Sequence, residues 1–111
     1  MTNYDKIAYD FFQNSYFMND YFKRTNFKKE KMKLELFSQN DKRMFYVITI
    51  NGEMVLFSGM IVVEKETGEV YNPYINQDKE HSKNFIVLEE EMFDAKYEEE
   101  KAKELLDYGR W

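Results

Sequence analysis

The dipeptide Asn51-Gly52 lies between two apolar segments of the chain. Both residues tolerate the positive φ of a type I′ turn, and Asn-Gly between apolar runs is the strongest short-range signal for a β-hairpin. Residues 44–50 alternate with the two-residue period of a strand, and residues 53–64 supply a second strand. Ser58-Gly59 in the middle of this long strand predicts a bulge or bend. The sequence therefore predicts an antiparallel hairpin around Asn51-Gly52.

Two further strands extend the hairpin into a meander. Residues 32–37 alternate in the same way, and Asn40-Asp41-Lys42 then provides a turn. Residues 69–75, after a turn at Glu66-Thr67-Gly68, complete the set. Because Pro73 cannot donate a backbone hydrogen bond, we expect this last strand at a sheet edge. Consecutive hairpins predict the strand order 1-2-3-4.

Helical periodicity marks both ends of the chain. Residues 2–22 lack Pro and Gly and place apolar side chains three and four positions apart, which predicts a helix. Residues 89–108 predict a C-terminal helix, with Gly109 placed as its C-cap. Residues 85–88 fit either a fifth strand or the start of that helix. We predict one α+β domain, 1–111: an N-terminal helix, a four- or five-stranded antiparallel β-meander, and a C-terminal helix packed on the sheet.

Size and composition restrict the class of protein. A chain of 111 residues has room for one hydrophobic core. It has no cysteine, so disulfides and thiolate metal sites are excluded. It lacks both the start of a secretory signal and an apolar run of about 20 residues. We therefore expect a cytoplasmic protein without a membrane partner.

Charge is separated along the chain. The first 43 residues carry 9 basic and 6 acidic side chains, whereas residues 78–111 carry 6 basic and 11 acidic ones. The acidic C-terminal helix either has an ordinary solvated face, or imitates the charge of nucleic acid and docks in the basic channel of a partner. The second interpretation gives a candidate acidic face of eight residues: Glu90, Glu91, Asp94, Glu98, Glu99, Glu100, Glu104 and Asp107.

Aromatic residues exceed the needs of a small core. The chain has ten Phe, nine Tyr and one Trp. Tyr and Trp anchor protein interfaces because they offer a large contact area with little rotamer entropy. This favours a binding protein, with four candidate aromatic contact residues: Tyr16, Tyr74, Tyr108 and Trp111.

The basic residues concentrate in segment 23–33. There they either balance the acidic helix or contact a phosphate backbone while a Phe ring stacks on a base. The alternative nucleic-acid site consists of Lys23, Arg24, Phe27, Lys28, Lys29 and Lys31. Since the whole protein is acidic, with a net charge of −5, direct nucleic-acid binding is the less favoured interpretation.

Motifs for catalysis are missing from the sequence. His81 is the only histidine, and no Ser or Cys nucleophile signature accompanies it. Turns, a bend and a helix cap account for the four glycines, which leaves none for a phosphate-binding loop. We expect no enzyme activity, no cofactor and no metal.

The leading hypothesis is a small non-enzymatic protein-binding protein that inhibits a host protein. Lys outnumbers Arg by 13 to 3, a bias typical of AT-rich genomes, which suggests a low-GC bacterium or its phage. A short, acidic, cysteine-free chain resembles anti-CRISPR-like inhibitors in general character. That resemblance implies a phage or mobile-element origin, action in the host cytoplasm, and a partner that itself binds nucleic acid. The alternatives are a nucleic-acid-binding module using segment 23–33 and a homo-oligomeric accessory protein, for which a homodimer is the simplest form.

Overall fold

The computed structural model describes residues 3–15, 19–20, 23–24, 32–54, 60–74 and 85–108, except for the side chains of the last two. The predicted α+β fold is confirmed, with the C-terminal helix packed on the sheet. The elements in chain order are α1 (Tyr4–Asn14), β1 (Lys33–Gln39), β2 (Arg43–Ile50), β3 (Glu53–Met54), β4 (Ile61–Glu64), β5 (Val70–Tyr71) and α2 (Phe85–Tyr108).

The sheet is antiparallel and follows the predicted meander. Its order is β1-β2-β4-β5, with β3 also paired to β2. The hairpin turn is confirmed, since Asn51 has a φ of 54° and Gly52 a φ of 82°, the left-handed conformation that a type I′ turn requires. The strand containing Val70 and Tyr71 lies at the edge next to β4, as Pro73 predicted.

The strand predicted over 53–64 is interrupted, because β3 and β4 pair with β2 in different registers. The bulge or bend predicted at Ser58-Gly59 lies between them, outside the described residues. Met54 lies opposite Thr49, and Ile61 lies opposite Tyr46. Six residues separate the first members of these pairs, whereas only two separate their partners on β2. One regular ladder cannot accommodate that difference. β3 and β4 are therefore separate strands, and the sheet has five strands. Residues 85–88 begin α2 and form no strand.

Both faces of β2 are buried, because a helix covers each side of the sheet. On one face, Met44, Tyr46 and Ile48 pack with Ala8 and Phe12 of α1. On the other, β2 side chains pack with α2 in a second cluster: Phe45, Val47, Met60, Val62, Tyr71, Leu88 and Met92. The side chains of this strand therefore contribute alternately to two separate hydrophobic clusters.

Helix α1 ends before the predicted 2–22 does, although Asn19 and Asp20 are again helical. Asn3 caps its start, its side chain accepting a hydrogen bond from the backbone N–H of Lys6. The helix ends at Asn14, and Ser15 adopts an extended backbone while its N–H still donates to the carbonyl of Phe11. Asn and Ser favour helix ends because their side chains compete for backbone hydrogen bonds.

A bulge in β1 redirects its side chains. Leu36 lies opposite Tyr46 and Ser38 opposite Phe45, so Phe37 is the extra residue. Phe37 packs against the α2 cluster and Ser38 is fully buried there, whereas Leu36 remains 42% exposed. The simple alternation predicted for this strand therefore stops at the bulge, and the residues after it face α2.

Candidate functional site

Helix α2 has an anchored half and a projecting half. Leu88 and Met92 are buried against the sheet, and partial burial continues to Lys96. Every residue from Tyr97 to Leu106 is exposed. At about 1.5 Å per residue, the helix extends roughly 18 Å beyond its last anchoring turn.

No helix in the described part of the chain has the length and apolar character needed to cross a membrane.

Side-chain hydrogen bonds fix the anchored half. The Ser38 hydroxyl donates to the backbone carbonyl of Met92 at 2.7 Å. The Tyr74 hydroxyl donates to the Glu89 carboxylate at 3.0 Å, and the Asn40 amide donates to Glu91 at 2.7 Å. These contacts come from β1, the β1–β2 turn and the segment after β5, so three parts of the sheet set the direction of α2.

Arg43 joins α2 to the sheet through two carboxylates. Its Nε lies 2.7 Å from Glu64 Oε2, and its Nη1 donates to both Glu91 oxygens at 3.0 and 3.1 Å. Burial by itself would lower the pKa of Arg43, but hydrogen bonds and attraction from Glu91 and Glu64 outweigh it and raise that pKa. Arg43 therefore stays charged and holds both carboxylates in place.

An open groove of about 700 Å³ runs between α2 and the end of β1. Its walls combine carboxylates, small apolar side chains and two amides: Gln39, Asn40, Val87, Glu90, Glu91, Asp94, Ala95, Glu98 and Glu99. Five of the eight residues predicted for the acidic face thus converge here. The sequence predicted neither the other lining residues nor Arg43. The one signal for Arg43 is its position directly before the apolar segment 44–50.

Three groove carboxylates, Glu90, Asp94 and Glu98, form a row with a spacing of four residues. They are exposed and form no ion pair with the other residues that the structure describes. Glu91 is held by Arg43, and Glu99 lies 3.6 Å from Lys103. Helical rise separates the row's members by about 6 Å each, which gives a line of like charges along one side of α2.

The remaining residues of the predicted acidic face are not in the groove. Glu100 and Glu104 are exposed elsewhere on α2, and the side chain of Asp107 lies outside the described residues. The eight predicted carboxylates therefore do not form one surface, because a helix distributes consecutive side chains around its axis.

The predicted aromatic contacts are only partly described. Tyr74 is half-buried, packs beside Phe85 at 5.2 Å between ring centroids, and bonds Glu89, so the fold itself uses it. Tyr16, Trp111 and the side chain of Tyr108 lie outside the described residues. Tyr97, which the sequence did not single out, is 63% exposed at the start of the projecting half.

The basic segment is mostly outside the described residues, including Phe27, Lys28, Lys29 and Lys31. Lys23 and Arg24 are exposed and helical, and Arg24 Nε lies 3.0 Å from Asp20. The nucleic-acid site stays a prediction. His81 also lies outside the described residues, and no group of three or more His, Cys, Asp or Glu in the described ranges could hold a metal ion.

Comparison with protein-family models, curated proteins and solved structures finds no match for this chain.

Three buried tyrosine hydroxyls predict a loss of stability at alkaline pH. Burial raises the pKa of Tyr46, Tyr71 and Tyr74, and Asp5, Glu64 and Glu89 respectively raise it further. At Tyr71, Arg43 opposes part of this increase without reversing it. A pKa raised by folding favours the folded state below the unfolded value of about 10, and this contribution is lost as the pH rises above it. The loss approaches about 1.4 kcal/mol per pH unit for each tyrosine, and less at the more exposed Tyr74.

Urea unfolding at several pH values between 8 and 11 measures this effect, with Tyr46→Phe/Tyr74→Phe as the comparison. The double variant removes two of the three titrating hydroxyls, so its stability should fall less steeply with pH. Equal slopes for the variant and the natural protein would contradict the prediction, since lysine titration is common to both.

Proposed function

We propose that this is a non-enzymatic protein-binding protein that docks the acidic groove face of α2 on a basic surface of its partner. The observation that carries the proposal is the row Glu90, Asp94 and Glu98, exposed and without ion pairs among the described residues. A row of like charges raises the rate of encounter with an oppositely charged surface and suppresses wrong partners.

The fitting partner is a host protein whose basic channel binds nucleic acid, and docking there inhibits it. The row Glu90, Asp94 and Glu98 carries one charge per about 6 Å of helix, roughly half the density of one phosphate per 3.4 Å along a DNA strand. This partner and its inhibition are those expected of an inhibitor encoded by a phage or mobile element. Glu98 and Glu99 lie on the projecting half of α2, so this end of the groove face can enter a channel, whereas Glu90 and Asp94 would meet the partner beside the sheet.

Charge reversal along the row tests the proposal. Glu90→Lys/Asp94→Lys/Glu98→Lys should lose a stoichiometric host partner that the natural protein captures from lysate, and captured partner should elute with added salt. The matched control, Glu53→Lys/Glu100→Lys/Glu104→Lys, changes the net charge equally at exposed positions outside the groove. Equal capture by both variants, or no stoichiometric partner for the natural protein, would refute this mode of docking.

A further inference from the structure

Strand β1 presents a long free edge in the described part of the chain. There it pairs with β2 alone, whereas β5, at the opposite edge, has only two residues before the buried Pro73. An edge strand exposes unpaired backbone N–H and C=O groups that another strand can bind. Between the two edges, β1 therefore offers the longer template for strand addition.

The five residues Met32 to Leu36 form a self-complementary pattern. Met32, Leu34 and Leu36 share the α1 face of the sheet, and Lys33 and Glu35 share the other face. Both charged side chains are exposed, and neither has an ion pair or side-chain hydrogen bond among the described residues. An antiparallel copy of the same strand can satisfy both.

A two-fold axis at Leu34 gives the pairing register in which these charges are complementary. It places Lys33 opposite the partner's Glu35 and Glu35 opposite the partner's Lys33, with side chains about 5 Å apart. An axis at Glu35 would instead oppose two glutamates, and an axis at Leu36 would pair Glu35 with Phe37. On the α1 face, the Leu34 register places leucine opposite leucine and Met32 opposite Leu36.

The α1 face beside this edge is incompletely covered. Leu36 is 42% exposed and, with Tyr9, Leu34 and Tyr46, lines a groove of about 490 Å³ between α1 and β1. A second strand at the edge would shield Leu36 from water. The bulge at Phe37 limits regular pairing to the residues before it, which agrees with an interaction centred on Leu34.

We infer that the protein forms a symmetric homodimer by antiparallel pairing of its β1 edges about Leu34, which joins the two sheets into one. A second copy is the occupant because its own Lys33 and Glu35 supply the charges that this edge requires. The interface lies apart from the α2 groove. The dimer proposal and the partner-docking proposal can therefore be tested, and refuted, independently of each other.

Sedimentation equilibrium of the full chain tests the dimer with a charge swap. At high concentration the natural protein should approach twice the 13.6 kDa mass of one chain. Lys33→Glu and Glu35→Lys should each oppose like charges twice and weaken dimerisation by about tenfold or more. The double variant Lys33→Glu/Glu35→Lys restores both pairs, so its dimerisation should return to within about threefold of the natural value.

Three results would overturn the inference. One is a natural protein that stays monomeric up to roughly 1 mM, as expected if the edge serves an extended segment of another protein. Another is dimerisation unaffected by the single changes. The third is a double variant that stays monomeric although its circular dichroism shows a folded chain.

A cysteine at the symmetry axis gives a second measurement, since the natural chain has none. Leu34→Cys places two thiols directly opposite each other, with Cβ atoms about 5 Å apart, so a small local adjustment reaches the roughly 3.5–4.5 Å that a disulfide requires. Mild oxidation should therefore give a cross-linked dimer, whereas Val87→Cys, exposed on α2, should stay largely monomeric. Equal cross-linking of the two variants would contradict the β1 interface, whatever the effect of Leu34→Cys on stability.

Discussion

Replacing Arg43 with methionine should destabilise the fold by about 2–4 kcal/mol, since removing one member of a buried ion pair typically costs about 3–5 kcal/mol. The side chains of Arg43, Glu64 and Glu91 are 27%, 21% and 24% exposed, so water screens part of the loss. The variant leaves two carboxylates close together without their shared cation. Urea unfolding followed by circular dichroism measures the change in free energy.

A neutralised variant separates charge from packing at this site. Arg43→Met/Glu64→Gln/Glu91→Gln removes the uncompensated carboxylates, so it should recover part of the stability lost in Arg43→Met. A stability within about 0.5 kcal/mol of the natural protein for Arg43→Met alone would show that the ion pairs contribute little. In that case the hydrophobic contacts and the other hydrogen bonds to α2, such as Ser38 to the Met92 carbonyl, would hold it on the sheet.

Truncating one core residue on each face of the sheet should produce the largest loss of stability. Phe12→Ala should cost about 3–5 kcal/mol and Met92→Ala about 2–5 kcal/mol, because each leaves a cavity in a fully packed cluster. Phe12 is 2% exposed beneath α1 and Met92 is 0% exposed beneath α2. Since folded domains are stable by only about 5–15 kcal/mol, the double variant should be largely unfolded.

The two core substitutions should be nearly additive, because the sheet separates the clusters and they share no side chain. Thermal and urea unfolding of both single variants and the double variant measures this. Leu105→Ala is the control: this leucine is 65% exposed on α2, and its truncation should change stability by less than about 0.5 kcal/mol. A coupling energy well above 0.5 kcal/mol between Phe12 and Met92 would contradict two independent clusters.

Local chemistry made the centre of the fold predictable. Asn51-Gly52 requires no distant contact to specify its turn, because its positive φ angles follow from the two residues themselves. The alternation of residues 44–50 likewise identified β2, and consecutive hairpins gave the sheet order. The acidic, helical character of residues 89–108 was also predictable, because it follows from the composition and periodicity of that segment alone.

Features that depend on tertiary contacts were not predictable. Arg43 and Glu91 are 48 positions apart, and no pattern in either segment indicates that they meet. The bulge at Phe37 depends on register, which neighbouring strands and helices decide. The helix end at Asn14 is a competition between similar local preferences, and periodicity resolves such ends poorly.

The two halves of α2 place different constraints on sequence change. Substitutions at Leu88 or Met92 act on the core, whereas substitutions from Tyr97 to Leu106 act on residues that are exposed throughout. Exposed helix positions tolerate most replacements within about 0.5 kcal/mol. The projecting half of this helix can therefore change widely in sequence with little effect on the stability of the body that carries it.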